Sequence, residues 1–132
     1  MRAAGTFELT IDRQPPYDDA DGVALARTSI DKRFSGELDG KSHVEMLSAA
    51  GSVKGSAGYV AIERVTGTLQ GRSGSFVLQH SGTMTRGTPS LSLTVVPDSG
   101  TGALAGLAGA MKIDIVDGKH LYTFDYTLDG AG

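Results

Sequence analysis

The stretch "YVAIERVTGTLQGRSGSFVLQH", Tyr59 to His80, decides how the chain folds. Apolar and polar residues alternate on both sides of a glycine-rich centre, the period of two expected of strands with one buried face. Glu63 and His80 interrupt the apolar rows. In an antiparallel hairpin the position of the turn sets which residues share a face. A turn centred near Gly71-Arg72 or Arg72-Ser73 puts Glu63 and His80 on one face, directly opposite or one pair diagonal. Tyr59, Ala61, Val65, Leu69, Phe76, Leu78 and Met84 share that face, whereas Arg64, Thr66, Gln79, Ser81 and Thr83 take the other. The first set is the core-like one, so an acid and an imidazole are expected to project together into the interior.

The same alternation recurs along the chain and predicts eight strands, at about 5–12, 23–35, 37–48, 57–69, 74–85, 89–97, 103–116 and 120–129. Between them, "GSVKGS", "GRSG", "TRGT", "PDSGTG" and "VDGK" place Gly, Asp or Ser where turns need unusual backbone angles. Short successive connections imply sequential antiparallel neighbours. Closure into an eight-stranded antiparallel up-and-down barrel buries the apolar face and removes the edges, with a sandwich as the second architecture. Residues 1–132 make one domain, a length that buries most of its apolar surface without staples. Only the connectors 13–22 and 49–56 are long enough to fold over a barrel mouth, the first carrying Tyr17 as a lid residue or simply crossing between strands.

Two other strands bear on the interior. In "LYTFDYTL", Tyr122, Phe124, Tyr126 and Leu128 form an aromatic face toward the core or a partner subunit, and tyrosine hydroxyls inside a barrel need partners, which Glu63 or a ligand would supply. In "VALARTSIDKRFS" neither face is apolar throughout, which predicts a bulge or an edge-like exposure. His43 and His120, beside turns or polar neighbours, are expected on the surface.

Composition excludes several classes of function. With no cysteine, disulfides, thiolate metal sites and thiol nucleophiles are ruled out. A net charge of −3, with 12 Lys and Arg spread over the chain, offers no basic stripe for phosphates, so neither nucleic acid nor membrane is an expected partner. The opening residues hold no signal-peptide core and nowhere do about 18 apolar residues run together, which points to a cytoplasmic protein. "SGTGALAGLAGAM" misses the dinucleotide fingerprint by one residue and runs into a strand, so its glycines are read as a turn feeding a barrel strand of small residues. No spacing suits a metal, no cofactor is expected, and no acid–base pair stands at nucleophile distance from Ser73 or Ser75.

The run from Tyr59 through "HSGTM", then "VVPDSGTGALAGLAG" and the closing "YTFDYTL", resembles the bacterial DUF3224 family over nearly the whole chain. That family looks like the allene oxide cyclase-like barrel class, shared with dirigent proteins and bacterial spirotetronate cyclases. The resemblance implies an apolar cavity that holds a flexible small molecule in a reactive shape with few catalytic groups.

Together these observations lead to an apolar small-molecule barrel acting as a cofactor-independent isomerase or cyclase, with Glu63 and His80 as the catalytic pair. Burial is expected to push Glu63 toward holding its proton while its carboxyl orients the imidazole. Tyr59, Phe76, Leu78, Met84, Tyr122 and Tyr126 are the expected ligand contacts. Two alternatives stand beside this: a non-catalytic carrier or sensor of a hydrophobic molecule, and a Glu63–His80 pair that merely sets strand register. Mixed strand exteriors and the C-terminal aromatic row suggest a homo-oligomer, a dimer or trimer.

Overall fold

Inward and outward side chains alternate through eight strands whose pairing returns to its starting point. The computed structural model of the chain describes residues 1–128, so residue 129, the end of the last expected strand, lies outside the described residues. The strands are β1 (Arg2–Arg13), β2 (Ala24–Gly36), β3 (Leu38–Ala50), β4 (Ala57–Leu69), β5 (Arg72–Thr85), β6 (Thr88–Val95), β7 (Leu107–Val116) and β8 (Lys119–Leu128). They form a closed antiparallel barrel in sequence order, β8 pairing back onto β1 from Arg2↔Asp125 to Phe7↔His120. No strand edge is left open along that seam. Among the described residues no helix is long and apolar enough to cross a membrane.

The β4–β5 hairpin turns on Gln70 and Gly71, with Leu69 opposite Arg72, and both turn residues have positive φ, 47° and 87°. This is the two-residue turn whose twist matches the flanking strands, and it recurs at Arg86-Gly87 and Asp117-Gly118. Its centre lies one residue earlier than expected. Moving a turn by one residue shifts the pairing by two, so the shared face survives: Glu63 sits opposite Leu78 and His80 opposite Ala61, which makes Glu63 and His80 a diagonal pair.

The expected bulge in β2 is absent. Its register runs unbroken against β1 from Thr28 to Gly36 and against β3 from Ala24 to Phe34. The mixed pattern has another origin: Thr28, Lys32 and Phe34 point inward and are buried, while Arg27, Asp31 and Arg33 on the alternate positions are exposed. A lysine on the inner row imitates a broken pattern.

One end of the barrel is filled. Phe34, Leu38, Leu69, Phe76, Leu107, Phe124 and Tyr126 are buried there, Phe76 stacked on Phe124 at 5.7 Å and Phe124 on Tyr126 at 5.3 Å. Each such side chain contributes about 1.5–3 kcal/mol. The connector from β6 to β7, unremarked as a cover in the sequence, closes this end. Its Thr101 N–H donates to the Ser75 carbonyl at 2.8 Å, the Thr101 hydroxyl accepts the Ser75 N–H at 3.0 Å, and a short 3-10 turn at Gly102–Leu104 drives Leu104 wholly into the core. Because these residues spend their hydrogen bonds on β5, β7 starts at Leu107 instead of 103. β6 likewise stops at Val95, and only Thr94↔Ala110 joins it to β7.

The other end is open. Ile11, Met84, Leu91 and Ile115 share the inner faces of Phe7, His80, Leu93 and Met111, yet all four are exposed. Leu9, Ile30, Met46, Tyr59 and Ile113, also inward, are half-buried. Tyr17 does not cover this mouth. Its N–H donates to the Leu25 carbonyl at 2.9 Å, and the Gln14–Val23 connector runs back along β2, leaving Tyr17 beside Leu25, Leu47 and Val60 on the outer wall.

Candidate functional site

Between the filled end and the open end, four adjacent strands lay a polar belt across the inner wall. Lys32 of β2 faces Ser42 of β3 directly. Ser42 and Glu63 of β4 are diagonal neighbours, because Glu63 pairs with Val44, and His80 of β5 continues the diagonal. Diagonal neighbours in a twisted sheet are within reach of long side chains. The reach is used: Glu63 Oε1 accepts from His80 Nε2 at 2.7 Å and Lys32 Nζ at 3.2 Å, and Glu63 Oε2 accepts the Ser42 hydroxyl at 2.5 Å. Glu63 is 0 % exposed, His80 5 % and Lys32 8 %.

Burial pushes the Glu63 carboxyl up, but the His80 hydrogen bond, the Lys32 ammonium and the Ser42 hydroxyl together outweigh it and hold the group below the ordinary carboxylate value. This corrects the expectation that Glu63 keeps its proton. The Lys32 ammonium and the Ser42 hydroxyl, both invisible to a two-strand reading, add to the His80 hydrogen bond in lowering it. The ammonium also lies over the Phe7 ring, 4.7 Å from its centroid, in a cation–π contact.

An ionised carboxylate only accepts, so the hydrogen between Glu63 and His80 belongs to Nε2. Whenever the imidazole is neutral, its lone pair is therefore on Nδ1. Every buried side-chain nitrogen and oxygen among the described residues has a partner, and His80 Nδ1 makes no hydrogen bond, so Nδ1 reaches solvent. The Thr28 hydroxyl is open in the same way. The arrangement is a base whose ring is held by one nitrogen and free at the other, as in a hydrolase triad without its nucleophile.

Glu63 and His80 thus meet as expected from the hairpin. The residues named as ligand contacts divide. Tyr59 and Met84 stand at the open half; Phe76, Leu78, Tyr122 and Tyr126 lie in the filled half, packed on one another. The tyrosine hydroxyls there are not satisfied by Glu63 or a ligand. Tyr122 accepts the Leu38 N–H at 2.9 Å and lies 3.0 Å from the carbonyls of Ser35 and Leu38, and Tyr126 donates to Gln70 Oε1. The aromatic row is core, so it is not a subunit contact. Lys32 and Ser42 were missed. The signal was the inner parity of Lys32 with Phe34, two strands away from one already carrying a buried acid.

Outside the barrel, His43 bridges Asp31, at 2.8 Å, and Glu45; the Asp31 and Glu45 carboxylates raise it, and Arg27 with His43 lowers Glu45 to about 2. His120 is half-buried rather than free on the surface, its ring 5.1 Å from that of Phe7. No group of three His, Asp or Glu among the described residues is placed to hold a metal ion.

The family described as "Protein of unknown function (DUF3224)" matches residues 3–126, and the chain belongs to it. A crystal structure of a DUF3224 protein of unknown function from Shewanella oneidensis is similar throughout, with 49% identity, 98% of each chain covered and a TM-score of 0.93. No curated protein matches the chain.

Proposed function

We propose that this DUF3224 barrel holds an apolar small molecule in its open half and acts on it as a cofactor-free isomerase or cyclase. His80 Nδ1 serves as proton acceptor and donor, and Glu63 fixes the imidazole tautomer and steadies the imidazolium. The observation that carries this is the unpartnered Nδ1 of an otherwise buried histidine whose Nε2 is pinned at 2.7 Å to an ionised carboxylate. The resemblance of the DUF3224 family to the allene oxide cyclase-like barrel class implies the same kind of cavity. Ligand contacts fall to Tyr59, Met84 and the rim residues Leu9, Met46, Leu91 and Ile113, since the filled half has no room. The protein works in the cytoplasm as a homo-oligomer, using the outer side chains Leu47, Val60 and Ile62, each about half exposed, in place of the core aromatic row.

A polyene and epoxide panel tests the chemistry. Loss of general acid–base catalysis lowers turnover about 10²–10⁴-fold, expected for His80→Gln and in part for Glu63→Gln. Full activity in both variants sinks the proposal. A carrier or sensor would use the same mouth but has no need of a free imidazole nitrogen; a co-purifying molecule in native mass spectra with no turnover of any panel member would favour it.

A further inference from the structure

Tyr59 stands in the mouth without a hydrogen-bond partner for its hydroxyl. As a half-buried residue with no buried atom left unsatisfied, it keeps that hydroxyl in contact with solvent. Its ring centroid is 6.3 Å from that of His80. Tyr59 pairs across the ladder with Gly82, and a Cβ at Gly82 would stand 2.4 Å from Tyr59 Cε1. The missing side chain is therefore the slot in which the tyrosine ring lies over β5 toward His80.

We infer that the molecule acted on is a carbonyl compound with an acidic C–H beside the carbonyl, its oxygen received by the Tyr59 hydroxyl and its proton taken by His80 Nδ1. This rests on the proton-transfer role given to His80 above. A donor and a base carried by one hairpin, their ring centroids 6.3 Å apart, suit an O=C–C–H fragment, because the charge that develops as the C–H bond breaks appears on the oxygen. The C–H pair moves into the C=C bond of an enolate, the proton sits on Nδ1, and its return to the same carbon or to a conjugated one regenerates the imidazole. Nothing else is consumed.

Two further features suit an anion here. Burial, with the nearby Glu63 charge, raises the Tyr59 phenol, so it remains a donor. Lys32, 3.2 Å from Glu63, cancels the carboxylate that the enolate would otherwise face.

The probes are 2-tetralone, whose α-hydrogens exchange in D2O, with 2-naphthol as enolate mimic and naphthalene as the oxygen-free control. The chain has no tryptophan, so naphthalene emission reports binding directly. Wild type is expected to speed tetralone exchange over buffer, followed by NMR, and to bind 2-naphthol about tenfold more tightly than naphthalene, the worth of one hydrogen bond. Tyr59→Phe should lower exchange about a hundredfold, the cost of one oxyanion donor, and remove the preference for 2-naphthol over naphthalene. Exchange at the wild-type rate in Tyr59→Phe overturns the assignment of Tyr59 and leaves His80 as base. No acceleration by wild type, with naphthalene bound and polyene or epoxide turned over, overturns the carbonyl class alone. Failure to bind naphthalene removes the apolar site itself, and this inference with it.

Discussion

Glu63→Gln removes one charge from the belt and keeps its shape. The amide still offers Ser42 an acceptor and His80 a partner, so the loss falls on Lys32, 8 % exposed and left with the Phe7 and Phe34 rings at 4.7 and 5.8 Å. Breaking a buried pair by removing one partner costs about 3–5 kcal/mol. The low end applies, near 3 kcal/mol, because the ammonium can draw water from the mouth; in a chain of this size that lowers Tm on the order of 10 °C. Adding Lys32→Met removes the stranded cation, and the double variant should recover at least half of the loss. Urea unfolding followed by far-UV circular dichroism on wild type, both single variants and the double gives the coupling directly. Acid gives a second handle. Since the Glu63 carboxyl is held below its ordinary value, its contribution is complete above about pH 4.3 and is lost as pH falls through the lower native value. The gap between wild type and Glu63→Gln should close on acidification. A double variant no more stable than Glu63→Gln, or a gap that widens in acid, refutes the ion-paired belt.

Three further outcomes follow from the packing. Leu104→Ala empties a fully buried site in the cover of the filled end and should cost about 2–5 kcal/mol, with faster amide exchange over residues 96–106. Tyr122→Phe leaves the Leu38 N–H without its acceptor and should cost about 1–3 kcal/mol in urea unfolding. Gly82→Ala puts a methyl group into the Tyr59 ring, so a crystal structure should show that ring turned out of its slot, with a loss of roughly 1–3 kcal/mol that Tyr59→Ala relieves in the double variant.

The barrel and the meeting of Glu63 with His80 were legible because both follow from parity, and parity tolerates a turn displaced by a whole residue. Lys32 was not. Its strand has polar residues on both rows, and only its partner β1, which sets Phe7 opposite Phe34, shows which row is inside. The sign of the Glu63 shift was lost with it, since a carboxyl facing one imidazole and a carboxyl facing an imidazole, an ammonium and a hydroxyl are different acids. The cover over the filled end was hidden for another reason. "GALAGLAG" alternates well enough to read as strand, and only the side-chain hydrogen bonds of Ser99 and Thr101 to β5 show that the first residues fold inward as a plug.

An eight-stranded barrel encloses a lumen that side chains just fill, so an open half shows as inward side chains left partly exposed. On the inner rows, Phe34, Leu38, Leu69, Phe76 and Phe124 fill one end, whereas at the other Ala24, Ala26, Ser48, Ala61 and Gly82 stand among the larger Leu9, Ile30, Met46, Tyr59 and Ile113, which are only half-buried. The belt lies where buried side chains give way to partly exposed ones. A pair that only set strand register would account for Glu63, Lys32 and Ser42, all of which are satisfied, and would be equally satisfied beneath a filled lumen. It makes no use of His80 Nδ1, which forms no hydrogen bond and, with no buried side-chain nitrogen or oxygen among the described residues left unpartnered, reaches solvent. That free nitrogen therefore stands at the boundary between the filled half of the barrel and its open half.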